Sequence, residues 1–414
     1  MPLDATAPGM DALLLATVLQ LELSDRDLRV ADKRYLFVPE HLQRPSSRMR
    51  HLMETARIYP QGSRAIGATI VDGTGEDRFD LDAILEYDRP YGWAPGHVLD
   101  ELFEAFKGFP DVKKIERCTR CIQLQFAFMH LDVTPLDPAD EPRPERVGQI
   151  FHSPDYGPDE VHDVNPFGFI EWFKEMITPG KQSFLDHVQT TRKGLSLRDR
   201  FDGGQIMADT EVDALPEPID PIRDAPLVIA LKLMKRYLNL RYAGRDLKRP
   251  VSIYLSKVAA LVPVSPFGIC AQLEGYAANL EQRMTHALVS GERPEERNPR
   301  FPEENFNDRW PKSDRDLRIF REDLRHLQVE LARARQSELS EIQKIFDDLF
   351  GERVSEGAVR AYADSIDASG GKSSFEHGRG YVAAPVFLGS TAAAQPKVSR
   401  AAPHKFHPGE VKKR

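Results

Sequence analysis

The chain has 414 residues, of which 41% are hydrophobic and 29% charged, an ordinary globular composition with room for two domains. A formal net charge of -8 at pH 7 argues against a protein whose whole surface binds nucleic acid, so we expect nucleotides rather than polymers as partners. The three cysteines are a sparse and odd set, which indicates a reducing cytoplasm and no disulfide cross-links.

The first part of the chain predicts two helices, over residues 10–22 and 42–57. The apolar run at 12–19 is short, has no basic residue before it and gives way to alternating polar residues. We therefore expect neither a signal peptide nor a membrane span. The second helix leads into a short extended piece, which delivers the chain to a Gly-Ser loop.

This loop stands shortly before two closely spaced carboxylates. At Gly62 the backbone can approach a phosphate closely, and Ser63 with nearby N–H groups can donate hydrogen bonds to it. Side chains at i and i+2 of a strand leave on one face, so Asp80 and Asp82 project together. Magnesium is often held by one or two carboxylates plus substrate phosphates. The two features together predict a metal–nucleotide site, although each alone is also typical of an ordinary turn or a solvated strand edge.

The next elements alternate between helix and strand. Apolar residues recur at steps of three and four after the Pro-Gly pair at 95–96, which predicts an amphipathic helix. Residues 113–135 alternate apolar with polar and predict strands. Cys118 and Cys121 fall in this stretch, where i and i+3 point to opposite faces, so we interpret them as packing rather than a zinc or redox pair. Residues 137–165 are rich in Pro, Asp and Glu and predict an irregular excursion.

The loop and the first strand together resemble the signature of the cGAS/DncV-like nucleotidyltransferases, the bacterial enzymes of CBASS antiphage defence. The matching segments are Gln61-Gly-Ser-Arg-Ala-Ile-Gly-Ala-Thr69 and Phe79-Asp-Leu-Asp82. His130-Leu-Asp-Val-Thr-Pro135 is similar to the family segment that supplies a third catalytic acid, here Asp132. Such an acid on a neighbouring strand can bind a second metal and help to draw the proton from an attacking hydroxyl. His130 shares the face of Asp132, where we expect it to support the acids or simply to pack.

Further segments follow in the family's order. Asn165-Pro-Phe-Gly-Phe-Ile-Glu-Trp-Phe173 resembles an aromatic segment, to which we assign core packing. From Pro226 onward the periodicity becomes helical, and a Leu-Met-Lys triplet resembles the helix by which these enzymes place a phosphate-contacting lysine, here Lys235. A solvated basic face is the alternative interpretation. The resemblance assigns a further phosphate contact to Ser252.

The C-terminal part predicts more helices and then a tail. We expect one helix over 268–290 and a long one from Ser313 or Asp314 to about 347. Between them, Asn298–Trp310 resembles a family loop that packs under the nucleotide site. After about residue 366, small residues predict a flexible tail with a basic end.

The resemblance implies an α+β fold: a two-lobed, polymerase-β-like nucleotidyltransferase with a mixed sheet lobe and a helical lobe. We expect a core with N-terminal helices over 1–215, a helical lobe over 216–365 and a tail over 366–414. The implied function is synthesis of a cyclic di- or trinucleotide second messenger, of the cyclic GMP-AMP type, from ATP and GTP with release of pyrophosphate. The implied metal ligands for two Mg²⁺ ions, or Mn²⁺, are Asp80, Asp82 and Asp132. The implied phosphate-binding residues are Gly62, Ser63, Lys235 and Ser252.

Two alternatives stay open. A linear-oligonucleotide or RNA-tailing enzyme keeps the chemistry, but the acidic balance counts against it. A catalytically silent nucleotide-binding adaptor does not need all three acids. We expect the product to act on a separate effector and the tail to be a candidate site for a conjugation or regulatory partner. No membrane and no specific nucleic acid is expected as a partner.

Overall fold

The computed structural model describes residues 8–71, 79–139, 146–202 and 222–370. Two helices come first, α1 (Pro8–Gln20) and α2 (Asp25–Gln43), followed by a single 3-10 turn at Arg50–Leu52. The first helix lies where it was predicted. The prediction of a helix over 42–57 is wrong, because the long helix begins earlier, at a Ser24 cap whose side chain accepts from the N–H of Asp27 at 3.1 Å.

A mixed sheet forms the first lobe. Its β2 and β5 pair in parallel, every other pairing is antiparallel, and the order is β1-β2-β5-β4-β3, with β6 pairing to β5 and β7. The elements of this lobe are β1 (Arg57–Gln61), α3 (Gly62–Ala65), β2 (Phe79–Glu86), α4 (Pro95–Phe106), β3 (Lys114–Arg117), β4 (Ile122–Gln125), β5 (Met129–Pro138), β6 (Gly148–His152) and β7 (Glu160–Val164).

Two predictions about this lobe differ from the structure. The expected irregular excursion over 137–165 contains an antiparallel pair, β6 and β7, whose strands are held by cross-strand pairs such as Phe151 and Val161. The two cysteines at 118 and 121 do not lie in a strand. They flank the turn between β3 and β4, closed by a hydrogen bond from the N–H of Cys118 to the carbonyl of Cys121 at 2.9 Å.

Helices make up the second lobe. They are α5 (Pro166–Met176), α6 (Gln182–Asp202), α7 (Pro226–Tyr242), α8 (Ser252–Ala260), α9 (Ile269–Ser290), α10 (Asp314–Ala334), α11 (Leu339–Phe350) and α12 (Glu352–Gly370), with a small hairpin of β8 (Arg297–Asn298) and β9 (Phe301–Asn305). The helix predicted over 268–290 is confirmed, and Asn165 caps the aromatic helix α5.

The long helix predicted to reach residue 347 is wrong, because the chain breaks after Ala334. Ser337 turns its hydroxyl back to the carbonyl of Arg333 at 3.0 Å there, and α11 starts afresh. Helix α12 extends past residue 366 to Gly370. The rest of the predicted tail, 371–414, lies outside the described residues.

Each lobe has its own apolar core. Helices α2 and α4 cover one face of the sheet, whereas α1 packs with α7, α9 and α12 in the helical core. The N-terminal helix therefore contributes to the helical lobe, although the sequence groups it with residues 1–215. No helix in the described part of the chain combines the length and apolar character needed to cross a membrane.

A buried ion network holds α7 against the rest of the protein. Glu22, just after α1, accepts from Lys232 at 2.8 Å and from Arg223 at 2.6 Å, and lies 3.1 Å from Arg192. Burial alone would raise the pKa of Glu22, but these three cations hold it well below its usual value. Truncating one member would leave uncompensated buried charge, so the network links α7 to the end of α1 and to α6.

Candidate active site

The centre of the sheet presents polar side chains on one face and apolar side chains on the other. The parallel register of β2 and β5 places Asp82 beside Asp132, and Asp80 beside His130. The residues between them, Leu81 and Leu131, point into the core of the sheet lobe and are at most 2% exposed. The three predicted acids therefore lie on one face of two neighbouring strands. His130 joins them, with Nδ1 3.3 Å from Oδ1 of Asp80.

Gly62 brings the Gly-Ser loop directly against the acids. Strand β1 pairs with β2 so that Gln61 lies opposite Asp82, and the chain turns immediately afterwards. Gly62 has a φ of +59°, and a Cβ added there would meet Oδ2 of Asp82 at 2.1 Å. Only glycine satisfies both conditions. Ser63 follows, with its hydroxyl 3.4 Å from that of Thr69.

The acids repel one another. Burial raises the pKa of Asp82 to about 7, and the neighbouring carboxylates Asp132 and Asp80 add to the shift, whereas Lys235 opposes it. Burial also raises the pKa of Asp132, and hydrogen bonding from Gln123 opposes that change. This face therefore holds negative charge that the protein's own cations compensate incompletely.

These residues fit a divalent cation. Oδ1 of Asp132 is buried and has no hydrogen-bond partner among the described residues. Carboxylate oxygens are the ligands that Mg²⁺ prefers, and a cation beside them would restore low pKa values. Within the same described residues, no group of three His, Cys, Asp or Glu side chains is already gathered closely enough to hold an ion.

Lys235 reaches this region from the helical lobe. Its Nζ donates to the carbonyl of Ala68, just after the Gly-Ser loop, at 2.9 Å. Burial lowers the pKa of Lys235 to about 8, with the cation of Arg249 adding to the effect and Asp82 and Asp80 opposing it. The alternative of a solvated basic face is wrong, because Lys232, Lys235 and Arg236 are at most 7% exposed.

Arg249 is a site residue that the sequence analysis did not single out. It lies just before α8, donates to Oδ1 of Asn239, and is buried enough to lower its pKa, against the pull of Asp80. A cavity of about 360 Å³ adjoins it, lined by Lys248, Arg249, Val251, Arg309 and Trp310. In the sequence, the Arg-Pro pair at 249–250 signals only the start of a helix.

Two curated proteins are similar to this chain. The cyclic dinucleotide synthase CdnG of Bradyrhizobium diazoefficiens is 29% identical over 416 residues, covering 97% of this chain and 95% of that protein. The c-di-GMP synthase of Roseivirga ehrenbergii is 24% identical over 260 residues, 61% of each chain. No family model matches the sequence.

A solved structure agrees in fold. The CD-NTase CdnG of Bradyrhizobium diazoefficiens in complex with GTP has a TM-score of 0.71 to this chain at 29% identity, covering 86% of this chain and 99% of that chain. Sequence and fold thus agree over most of both chains. This chain is a cGAS/DncV-like nucleotidyltransferase. The predicted family and the predicted α+β fold are confirmed.

In this nucleotidyltransferase, Ser252 is the least supported of the predicted phosphate ligands. It begins α8, which packs against α3, so it lies on the same side as the Gly-Ser loop. Its carbonyl accepts from the Ser256 hydroxyl at 2.9 Å. The role of the Ser252 hydroxyl stays a prediction.

The loop before α10 is anchored by its tryptophan, and its predicted place under the nucleotide site stays a prediction. Trp310 is 1% exposed and contacts the rings of Tyr254 and Phe320, at centroid distances of 5.7 and 5.3 Å. Trp310 also lines the cavity beside Arg249. This loop therefore forms one wall of the cavity beside Arg249.

A second cationic group lies on the acid-bearing face, further along the sheet. Arg120 contacts His152 and His162 through ring nitrogens at 3.4 and 3.1 Å, and its Nη2 lies 3.6 Å from Asp308 of the helical lobe. Burial lowers the pKa of both histidines, and Arg120 adds to the effect. The sequence analysis missed this group, because its members come from four separate segments.

Proposed function

We propose that this nucleotidyltransferase joins two ribonucleoside triphosphates into a cyclic dinucleotide and releases pyrophosphate. The observation that carries the proposal is the pairing of Asp82 with Asp132 on parallel strands, with the backbone of Gly62 against Asp82. This arrangement can hold the phosphate chain of one nucleotide beside two carboxylates. Both curated relatives are synthases of cyclic dinucleotides, which supports the same reaction here.

The two ends of the site suit the two partners of a phosphoryl transfer. Gly62 and Ser63 offer backbone and hydroxyl donors to the phosphates of the donor nucleotide. Lys235, whose Nζ lies at the carbonyl of Ala68 beside that loop, would balance charge on the leaving pyrophosphate. Lys235 is buried, so water screens its interactions with the phosphates and the acids only weakly.

Asp132 lies on the other side and suits the attacking nucleotide. Its carboxylate lies beside Asp82 on the parallel strand, where it can accept the proton from the attacking ribose hydroxyl. The ribose oxygen forms a bond to the α-phosphorus, the bond to pyrophosphate breaks, and the proton passes to the carboxylate of Asp132. A second transfer of the same kind, after the linear product has turned over, closes the ring.

Asp80, Asp82 and Asp132 would hold two Mg²⁺ ions, with Mn²⁺ as a substitute. When bound, the ions neutralise developing charge on the phosphates and lower the pKa of the attacking hydroxyl. His130 would orient Asp80, from which its Nδ1 is 3.3 Å distant. These roles are proposals that rest on the shared face of β2 and β5.

The comparison with the relatives supports GTP as a substrate of this chain. One relative is a c-di-GMP synthase, and the similar solved structure contains GTP. We propose GTP as at least one of the two substrates, with ATP as the candidate second nucleotide of a cyclic GMP-AMP type product. A role in CBASS antiphage defence, an effector that binds the product, and a conjugation partner at the C-terminal tail rest on the family resemblance alone.

The test is to incubate the protein with Mg²⁺ and each nucleoside triphosphate, singly and in pairs, and then with phosphatase. Mass spectrometry of the surviving products should show a cyclic dinucleotide that contains guanine. Phosphatase-sensitive linear oligonucleotides as the only product would favour the polymerase alternative. No dinucleotide under any condition, from a protein that still binds GTP, would favour the silent adaptor.

A further inference from the structure

The Gly-Ser loop makes a close contact at each of its two glycines. Gly62 lies against Asp82, and Gly67 lies against Arg223, just before α7. Gly67 has a φ of +69°, and a Cβ added there would stand 2.9 Å from the Cα of Arg223 and 3.2 Å from its backbone N. Only a residue without a side chain can adopt this backbone and lie this close. The second half of the loop therefore takes its position from the backbone of Arg223.

Hydrogen bonds connect the second half of the loop to Ser63. The N–H of Ala68 donates to the carbonyl of Ser63 at 2.8 Å, so the two halves of the loop are tied together. The Ala68 carbonyl accepts from Nζ of Lys235 at 2.9 Å, and the N–H of Val71 donates to the carbonyl of Leu21 at 2.9 Å. A displacement of this half of the loop would therefore displace Ser63, to which the proposed function assigns a phosphate contact.

Buried ion pairs hold Arg223 in place. Its Nη2 donates to Glu22 at 2.6 Å, and its carbonyl accepts from Nζ of Lys232 at 3.4 Å. The next residue, Asp224, accepts two hydrogen bonds from Arg192, at 2.6 and 3.1 Å. The side chains of Glu22 and Asp224 are 6% and 2% exposed, so water competes little for these hydrogen bonds. The backbone at 223–224 is thus fixed at both residues by contacts that do not involve the loop.

A cavity of about 150 Å³ lies behind the loop. Its lining includes Gly67 and Thr69 from the loop together with Glu22, Arg223 and Lys232 from the ion network. Close packing normally holds a segment in place from all sides, whereas a loop with a cavity behind it has room to shift when one contact is lost. The position of the loop therefore depends on the contacts that Arg223 and its partner Glu22 provide.

Resting on the proposed function, we propose that Glu22 and Arg223 are positioning residues of the phosphate-binding loop. They act through the backbone contact with Gly67 and the hydrogen bond from Ala68 to Ser63. The loop is assigned to the phosphates, so losing the pair should weaken binding of the triphosphate and leave binding of the nucleoside unchanged. A pair that only stabilises the fold would change the unfolding temperature and neither affinity.

Three variants test the proposal. Arg223→Met removes the guanidinium from Glu22. The fold should survive, because Lys232 and Arg192 still lie 2.8 and 3.1 Å from the Glu22 carboxylate and compensate its charge. Arg223→Lys returns a cation at this position. Gly67→Ala leaves the ion pairs intact and pushes the loop away from the Arg223 backbone, because the new Cβ has only 2.9 Å of room.

Two controls carry a similar cost to stability elsewhere in the protein. Arg241→Met breaks one ion pair of a buried acid, since Asp323 is paired with Arg241 at 3.0 Å and with Arg245 at 2.7 Å. Gly291→Ala matches Gly67→Ala, because Gly291 has a φ of +73° and no atom of the described residues lies within 4 Å of an added Cβ. With Mg²⁺ present, the affinity for a non-hydrolysable GTP analogue is measured by calorimetry and that for guanosine by ligand-detected NMR. The unfolding temperature, kcat and the KM for GTP are measured alongside.

We expect Arg223→Met and Gly67→Ala each to weaken binding of the GTP analogue about tenfold, the effect of losing about one hydrogen bond to a charged phosphate. The KM for GTP should rise by a similar factor with little change in kcat. Guanosine affinity should stay at the wild-type value, and Arg223→Lys should recover part of the loss. Both controls should bind both ligands like wild type.

Wild-type affinity for the GTP analogue in Arg223→Met or in Gly67→Ala would overturn the proposal. Equal losses for the analogue and for guanosine, or an Arg223→Lys variant no better than Arg223→Met, would overturn it as well. Binding is measured without turnover, so failure of the proposed reaction shows separately, as the absence of a cyclic dinucleotide from the wild-type protein.

Discussion

Gly62→Ala should damage catalysis far more than it damages the fold. The added Cβ would stand 2.1 Å from Oδ2 of Asp82, whereas ordinary contact begins at 3.4 Å. One of the two groups must therefore move by about 1.3 Å, the difference between these distances. Asp82 carries the charge that the proposed reaction needs, so the substitution tests the position of the acid without altering its chemistry.

The expected loss of stability and the expected loss of catalytic rate can be told apart by their magnitudes. A left-handed backbone costs a non-glycine residue about 1–2 kcal/mol of stability. A misplacement of about 1 Å at a reacting group can lower the rate by about 100-fold, or about 2.7 kcal/mol of transition-state stabilisation. Gly108 provides the control, because it has a φ of +80° and no atom within 4 Å of an added Cβ. Gly108→Ala carries the same backbone cost without approaching an acid.

The assay is the initial rate of phosphatase-resistant product from wild type and both variants, alongside thermal unfolding. We expect both variants to unfold at slightly lower temperatures and only Gly62→Ala to lose about 100-fold in kcat. A Gly62→Ala enzyme with the wild-type rate would show that the loop does not press on a catalytic acid. An equal rate loss in Gly108→Ala would assign the effect to stability.

Three further predictions follow from the same site. Asp82→Asn and Asp132→Asn should each lower kcat about a thousandfold, which corresponds to about 4 kcal/mol of transition-state stabilisation. The circular dichroism spectrum should stay unchanged. A near wild-type rate would show that these residues do not hold the metal. Lys235→Met should weaken GTP binding about tenfold by calorimetry with Mg²⁺ present, and Lys235→Arg should recover part of it, whereas equal affinity in both would exclude a role for the charge. The pKa of Asp82, about 7 when folded, lies above its unfolded value, so its contribution to stability is present at low pH and is lost as the pH rises through about 7. Without metal, wild type should therefore lose stability relative to Asp82→Asn between pH 5 and pH 8, and parallel unfolding temperatures would contradict this.

The sequence predicts the local parts of the site well. Asp80 and Asp82 share a strand face because side chains alternate along a strand, and no tertiary information is needed for that. The amphipathic helix after residue 95 follows its apolar period in the same way, with Val98, Leu99 and Leu102 buried. The meeting of Asp82 with Asp132 needed the family resemblance, since fifty residues separate two strands that pair in parallel.

The other features of the site depend on contacts between segments that are distant in the sequence. Gln123 is an ordinary polar residue of an alternating strand until the register of β4 places it opposite Asp132. Arg249 of the helical lobe interacts with Asp80 of the sheet lobe. Arg120 of the sheet lobe pairs with Asp308 of the helical lobe. The sequence allows two interpretations of Lys235, a solvated basic face and a phosphate contact. Helical periodicity does not decide between them, because it does not reveal that other elements cover all sides of α7.

The predicted boundaries of helices and strands are wrong where hydrogen bonds in a turn outweigh the intrinsic helix or strand preference of the residues. The helix-forming residues 314–347 contain a break after Ala334, which a serine hydroxyl stabilises by bonding to the backbone. The cysteines at 118 and 121 lie in a run that alternates like a strand, yet the chain reverses between them.

The ratio of pyrophosphate released to dinucleotide formed tests the central claim most directly. Closing a ring from two triphosphates releases two pyrophosphates per dinucleotide, whereas a linear dinucleotide releases one. With GTP alone or with ATP and GTP, the account predicts a ratio of two for wild type and no detectable product for the Asp82→Asn, Asp132→Asn double variant. A ratio of one, or the same product from the double variant, would contradict it.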